Sequence, residues 1–297
     1  MRRRLLLFFL GTVLSFPALG QRPVKVYISI DMEGIGGVVT GEQLGPTGFE
    51  YQRARQFMTD ELLAAIQGAR DAGATEIVIS DSHGNGQNVL IDQLPPDVTI
   101  VRSWPRPLMM MEGIDSTFHA ALLIGYHAGT ANPQGVRAHT MSSATLTGLA
   151  LNGSEMPEGG VSAAIAGHFG VPVVMISGDD AAVAELQKIV GPVEGAVVKR
   201  AISFHSAATV TPRAAQALIR DRARAGVARR AEFRPHVVRA PIALDVTFKH
   251  YRPAEILAYL PMVTRTSSHA IRVTGRDMTE VSRFIAFIQT YQPDLTP

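Results

Sequence analysis

Val24-Lys25-Val26-Tyr27-Ile28-Ser29-Ile30-Asp31-Met32-Glu33-Gly34 is an apolar run that stops on two carboxylates and a glycine. Val24, Val26, Ile28 and Ile30 alternate with Lys25, Tyr27 and Ser29, the period of an extended strand. Side chains two apart share a face, so Asp31 and Glu33 leave the strand on the same side. A helical pattern follows from Tyr51 to Ala72. Phe57, Met58, Leu62, Ala65, Ile66 and Ala69 recur at three- and four-residue spacing, and Gly73 supplies the stop. Glu76-Ile77-Val78-Ile79-Ser80 is a second strand. Strand, helix and strand of these lengths form a βαβ unit, which implies a parallel sheet.

The second strand runs into Asp81-Ser82-His83, and a third, Ala120 to Gly125, runs into Tyr126-His127. Ligands of open α/β sheets bind beyond the carboxyl ends of the strands, so Asp31, Glu33, His83 and His127 are expected along one edge. Two stretches rich in glycine and polar residues, 34–48 and 128–153, read as loops; the second holds His139 and, at Leu146 to Asn152, a candidate strand. Glu158-Gly159-Gly160 opens a helix of small residues, and Asp179-Asp180 reads as the cap of a later helix. Lys199, at the end of a short strand, either points into the site or is solvated. The arginine-rich pair of helices from Thr211 to Ala231 reads as a solvated face. The expected fold is α/β, a mostly parallel sheet with flanking helices, plus a smaller C-terminal α+β domain. The expected division is a signal peptide over 1–20, a metal-binding catalytic domain over 21–200, a helical connector over 201–234 and the smaller domain over 235–297.

Arg2-Arg3-Arg4, an apolar core from Leu5 and the small residues Ala18 and Gly20 form a secretory signal peptide pattern with cleavage near Gln21. A periplasmic or secreted product, with no membrane anchoring after cleavage, is therefore expected. Without those three arginines, 25 of the 28 basic residues remain against 26 acidic ones. Near-neutral charge gives no electrostatic case for binding nucleic acid or an anionic membrane. The chain has no cysteine, which excludes disulfides, cysteine-zinc sites, a thiol nucleophile and lipoprotein anchoring.

Asp31, Glu33, His83, His127 and Glu158 are oxygen and imidazole donors without sulfur, a set suited to zinc or another divalent first-row metal. Singly, each has an ordinary reading: a histidine bonded within its loop, or an acid at a helix start. Together they are one or two more ligands than a single zinc takes from protein, so a two-metal site sharing one carboxylate fits them.

Ser29 to Gly34, Asp81-Ser82-His83, Gly125-Tyr126-His127-Ala128, His139-Thr140-Met141 and Gly178-Asp179-Asp180 resemble, in order, the D-aminopeptidases of the dipeptide-transport operon type, peptidase family M55. The resemblance implies a metallo-aminopeptidase with two Zn2+ per chain that hydrolyses short peptides or amides with an N-terminal D-amino acid such as D-Ala. It also implies a homodecamer. Asp31 would bridge the zincs, with Glu33 and His83 on one, His127 and Glu158 on the other, and His139 as the catalytic histidine. Two zincs roughly 3.5–4 Å apart furnish a metal-bridged hydroxide near neutral pH. Two other readings of the same residues are a two-metal phosphoesterase and a non-catalytic periplasmic binding protein.

Overall fold

The computed structural model describes residues 23–291, so the signal peptide pattern of residues 1–20 lies outside it. The expected βαβ unit is present as β1 (Lys25–Ile30), α1 (Tyr51–Asp71) and β2 (Glu76–Asp81), followed by β3 (Val98–Val101) and β4 (Ala120–Tyr126). A hairpin, β5 (Leu146–Leu151) and β6 (Ser154–Glu155), leads into α2 (Glu158–His168). Then come β7 (Val173–Asp179), α3 (Asp180–Val190), β8 (Glu194–Ser203), β9 (Ser206–Thr209) and α4 (Pro212–Ala228). The chain ends in β10 (Ile242–Phe248), α5 (Tyr251–Leu257), β11 (Val263–Arg265), β12 (Ala270–Gly275) and α6 (Met278–Thr290). The expected helix pair from Thr211 is one continuous helix, closed by a short 3-10 turn at Arg230–Glu232.

The first sheet has the order β3-β2-β1-β4-β7-β8-β9. Every pairing in it is parallel except the β8–β9 hairpin. The chain moves outward from β1 to β2 and β3 on one side, then returns to lay β4 on the other. That reversal places a topological switch point between β1 and β4, where α/β sheets open a crevice for ligands. Alternation along β1 decides what covers each face. Val26, Ile28 and Ile30 pack with Leu62, Ile66, Ala215 and Ile219 of α1 and α4, while Tyr27 joins the core on the opposite face. Charged residues of α4 do take the solvated side, where Arg220 pairs with Asp71 and Arg222 with Glu194.

The second sheet is antiparallel, in the order β11-β12-β10-β5-β6. It combines C-terminal strands with the hairpin from residues 146–155, because a lone hairpin is marginal in water and gains a partner on β10. Leu149, Leu244, Ile165 and Ile285 share one continuous core with Tyr126 and Leu123 of the first sheet. The hairpin matters for the site, since its exit sets where α2 begins.

Candidate metal centre

The ends of β1 and β4 are locked together. Gly34 donates its amide to the Gly125 carbonyl at 2.7 Å, and a Cβ on Gly34 would sit 2.0 Å from the Tyr126 carbonyl oxygen. Gly125 has φ +69, and a Cβ there would meet the Asp31 carbonyl oxygen at 2.2 Å. Glycine at both positions lets two backbones touch, which fixes Asp31 and Glu33 against His127. His83 is held from β2. Asp81 accepts hydrogen bonds from the Asn88 and Val89 amides, and Asn88 Nδ2 donates to the His83 carbonyl at 2.6 Å. Glu158 comes from the first turn of α2, just past β6. All five expected ligands converge, and His139 joins them.

Each imidazole donates one N–H to a backbone carbonyl, which can only accept. His83 Nε2 bonds Leu44 O at 2.7 Å, His127 Nδ1 bonds Ala128 O at 3.0 Å, and His139 Nδ1 bonds Arg137 O at 2.8 Å. The remaining nitrogens therefore face the carboxylates, the outer hydrogen bonding that orients metal-binding histidines. His83 Nδ1 lies 3.2 Å from Asp31 Oδ1 and 2.8 Å from Glu33 Oε2. His127 Nε2 lies 3.4 Å from both Asp31 Oδ2 and Glu158 Oε2. His139 Nε2 is 3.5 Å from Glu158 Oε1, and its ring stacks on His127 with centroids 4.1 Å apart. Asp31 thus turns one oxygen to each of two donor groups.

Charge in the cluster is arranged for a cation. Burial works against protonating His83 and His127, yet Glu33 and Asp31 around the first and Glu158 and Asp31 around the second raise both well above the ordinary imidazole value. Burial and the neighbouring Glu33 push the Asp31 carboxyl up. Burial also raises Glu33, but His83, His139 and His127 outweigh it and hold its carboxyl well below the usual range. Glu158 is lowered in the same way, with His127 the main counterweight to burial. Asp31 Oδ2, Glu33 Oε2 and His127 Nε2 are buried without hydrogen-bond partners; His83 stands close to Glu33 Oε2 but not in hydrogen-bonding geometry. Such atoms are costly unless something binds them. Nitrogen and oxygen donors oriented in this way fit zinc. Ligand atoms of Asp31, Glu33 and His83 lie within 4.8 Å of one another, as do those of His127, His139 and Glu158.

His139 differs from the other five. Its side chain is 16% exposed, against 8% or less for the rest. Arg137 (φ 55) and Met141 (φ 62), both left-handed without being glycine, turn the chain on either side of it, and such strain concentrates at functional sites. The Met141 amide donates to Glu158 Oε1 at 2.7 Å, tying this loop to α2. Asp179 does cap α3, accepting from the Ala182 amide, and its other oxygen accepts from the Val136 amide of the His139 loop at 2.6 Å.

Lys199 neither points into the site nor is solvated. Its buried ammonium donates to the carbonyls of Glu33, Ile35 and Val38, so it clamps the loop that carries Glu33 from behind. Glu61, unnoticed in the sequence, accepts the Gly36 amide of the same loop at 2.8 Å. Burial pushes Glu61 up to about 8 and Lys199 down to about 8. The only sequence hint was a lysine at the end of an apolar run.

Comparison with known proteins agrees with this geometry. The profile of peptidase family M55, described as D-aminopeptidase, matches residues 24–287. A D-aminopeptidase of Bacillus subtilis (strain 168) is 31% identical over 258 residues, covering 86% of this chain and 93% of the relative. The solved structure described as the Zn-dependent D-aminopeptidase DppA from Bacillus subtilis, a self-compartmentalizing protease, superposes with a TM-score of 0.86. Its sequence identity is 29%, over 89% of this chain and 96% of that one.

Proposed function

The chain belongs to peptidase family M55, the D-aminopeptidases, and from that premise we propose that it is an exported dinuclear zinc enzyme removing N-terminal D-residues such as D-Ala from short peptides or amides. The observation that carries the dinuclear reading is Asp31, whose two oxygens face His83 and His127 separately. Asp31, Glu33 and His83 would hold one zinc, and Asp31, His127 and Glu158 the other. When bound, the metals supply Lewis-acid polarisation of the peptide carbonyl and an activated water near neutral pH.

The protein's own groups do the rest. His139 keeps its Nδ1 proton on the Arg137 carbonyl and directs Nε2 into the site. From Nε2 it hands a proton to the departing amine as the peptide C–N bond breaks, and Glu158 Oε1 at 3.5 Å stabilises the imidazolium beforehand. Its greater exposure suits a group that meets substrate, whereas the deeper five suit ligands. Lys199 and the Gly34–Gly125 contact keep Glu33 and Asp31 from drifting.

Export is proposed from the pattern of residues 2–20, and the described residues contain no helix long and apolar enough to cross a membrane. Assembly into a homodecamer is proposed by kinship with a self-compartmentalizing relative. Light scattering at micromolar concentration that shows only monomer would remove that part. The chemistry is tested by supplying zinc-loaded protein with D-alanine amide, L-alanine amide and p-nitrophenyl phosphate. Preferential release of ammonia from the D-amide is expected; phosphate release without amide cleavage would point to phosphoesterase chemistry instead.

A further inference from the structure

The β8–β9 hairpin runs past both halves of the metal centre. At its base Lys199 and Thr209 pair across the strands, and both hold the loop that carries Glu33. Lys199 does so through its ammonium, and Thr209 by accepting the Gly37 amide on Oγ1 at 2.8 Å. Farther along, the Ala201 amide donates to Asp180 Oδ1 at 3.0 Å, while the neighbouring Asp179 accepts the Val136 amide. The hairpin and the start of the His139 loop therefore hang from the same junction between β7 and α3.

The tip of the hairpin, Phe204-His205, reaches the His139 loop through Arg137. Arg137 donates its amide to the Phe204 carbonyl at 3.1 Å, lays its guanidinium 4.9 Å from the centre of the Phe204 ring, and donates from Nη1 to His205 Nδ1 at 3.4 Å. Left-handed backbone at a residue other than glycine persists only where its surroundings over-determine it. For Arg137 (φ 55) the hairpin tip supplies those surroundings. The carbonyl of the same residue accepts the Nδ1 proton of His139 at 2.8 Å. The conformation of Arg137 thus sets both the tautomer and the direction of the His139 ring.

We infer that Phe204 and Arg137 are positioning residues: ring and guanidinium together lock the backbone of Arg137, whose carbonyl aims His139 Nε2 at the departing amine. The inference rests on the reading of His139 as proton donor. It gives a surface hairpin a part in the reaction although its tip places no atom among the metal-facing donors. Phe204 is 37% exposed and belongs to neither hydrophobic core, so truncating it leaves the packing of both intact. A cation over an exposed aromatic face is a modest attraction. Its loss weighs more on rate than on stability, because misplacing a reacting group by about 1 Å costs up to roughly 10²-fold.

Zinc-loaded wild type, Phe204→Ala, Phe204→Tyr, Arg137→Met, His139→Ala and the double variant Phe204→Ala with His139→Ala are compared for kcat, KM and zinc content with D-alanine amide. Phe204→Ala and Arg137→Met should each lose about 10- to 100-fold in kcat while KM and zinc content hold, and Phe204→Tyr, which keeps the ring, should restore the rate. Added to His139→Ala, the Phe204 truncation should cost nothing further, since the group it aims is gone. Wild-type kcat in Phe204→Ala and Arg137→Met, a loss that tracks zinc, or an equal further loss in the double variant would overturn the inference. Wild-type kcat in His139→Ala would instead defeat the proton-donor reading. A crystal structure of zinc-loaded Phe204→Ala, which needs no turnover, should show the His139 ring moved off the Arg137 carbonyl; a ring left in place would overturn the positioning role whatever the kinetics.

Discussion

Replacing Lys199 with methionine separates the clamp from the ligands it supports. The ammonium of Lys199 is fully buried and donates to three carbonyls of the loop at residues 33–38. Burial lowers its pKa from 10.5 to about 8, so holding the charge near neutral pH costs about 3.5 kcal/mol. Methionine removes that cost but leaves three buried carbonyls without their donor, at roughly 1–3 kcal/mol each. The net change is a destabilisation of between zero and about 5 kcal/mol, read by urea unfolding. The more telling effect is on metal. Loss of an outer support weakens binding by roughly 10–100-fold, and it should fall on the zinc held by Glu33 and His83. Competition with a graded chelator should show one equivalent released early and the other nearly unchanged. Wild-type affinity for two equivalents in Lys199→Met would refute the reasoning.

His139→Ala should lower kcat by roughly 10²–10⁴-fold, the share of a placed proton donor, with full zinc content, whereas His83→Ala should lose metal as well; zinc loss in His139→Ala would make it a ligand. Glu61 is raised from 4.5 to about 8, so the folded state keeps a proton that the unfolded chain has released, and stability should fall as pH rises from about 4.5 through 8, by at most about 5 kcal/mol. Glu61→Gln should flatten that dependence in unfolding titrations at pH 5 and 8, and an unchanged slope would contradict it. Intact mass of the exported product should match a chain beginning at Gln21; retention of Met1 would count against cleavage.

The parallel sheet and the convergence of Asp31, Glu33, His83 and His127 at its edge were legible because β1, β2 and β4 announce themselves by apolar runs that stop on acids or histidines. Topology then gathers those ends whatever the side chains between them do. The second sheet was less legible. β5 was legible as a candidate strand at Leu146 to Asn152 but not as a member of a second sheet, because its partner β10 lies some ninety residues away and no local pattern encodes a pairing at that distance. Glu61 went unnoticed, and Lys199 was noticed without its role, for a related reason: their roles consist of contacts with backbone carbonyls and amides, which leave no trace in residue type.

The central claim is that Asp31 bridges two metals, and anomalous diffraction from crystals of zinc-loaded protein tests it most directly. The expected map has two zinc peaks roughly 3.5–4 Å apart, one near each oxygen of Asp31, with His83 and Glu33 on one and His127 and Glu158 on the other. A single peak at full zinc occupancy, or two peaks that do not share Asp31, would contradict it.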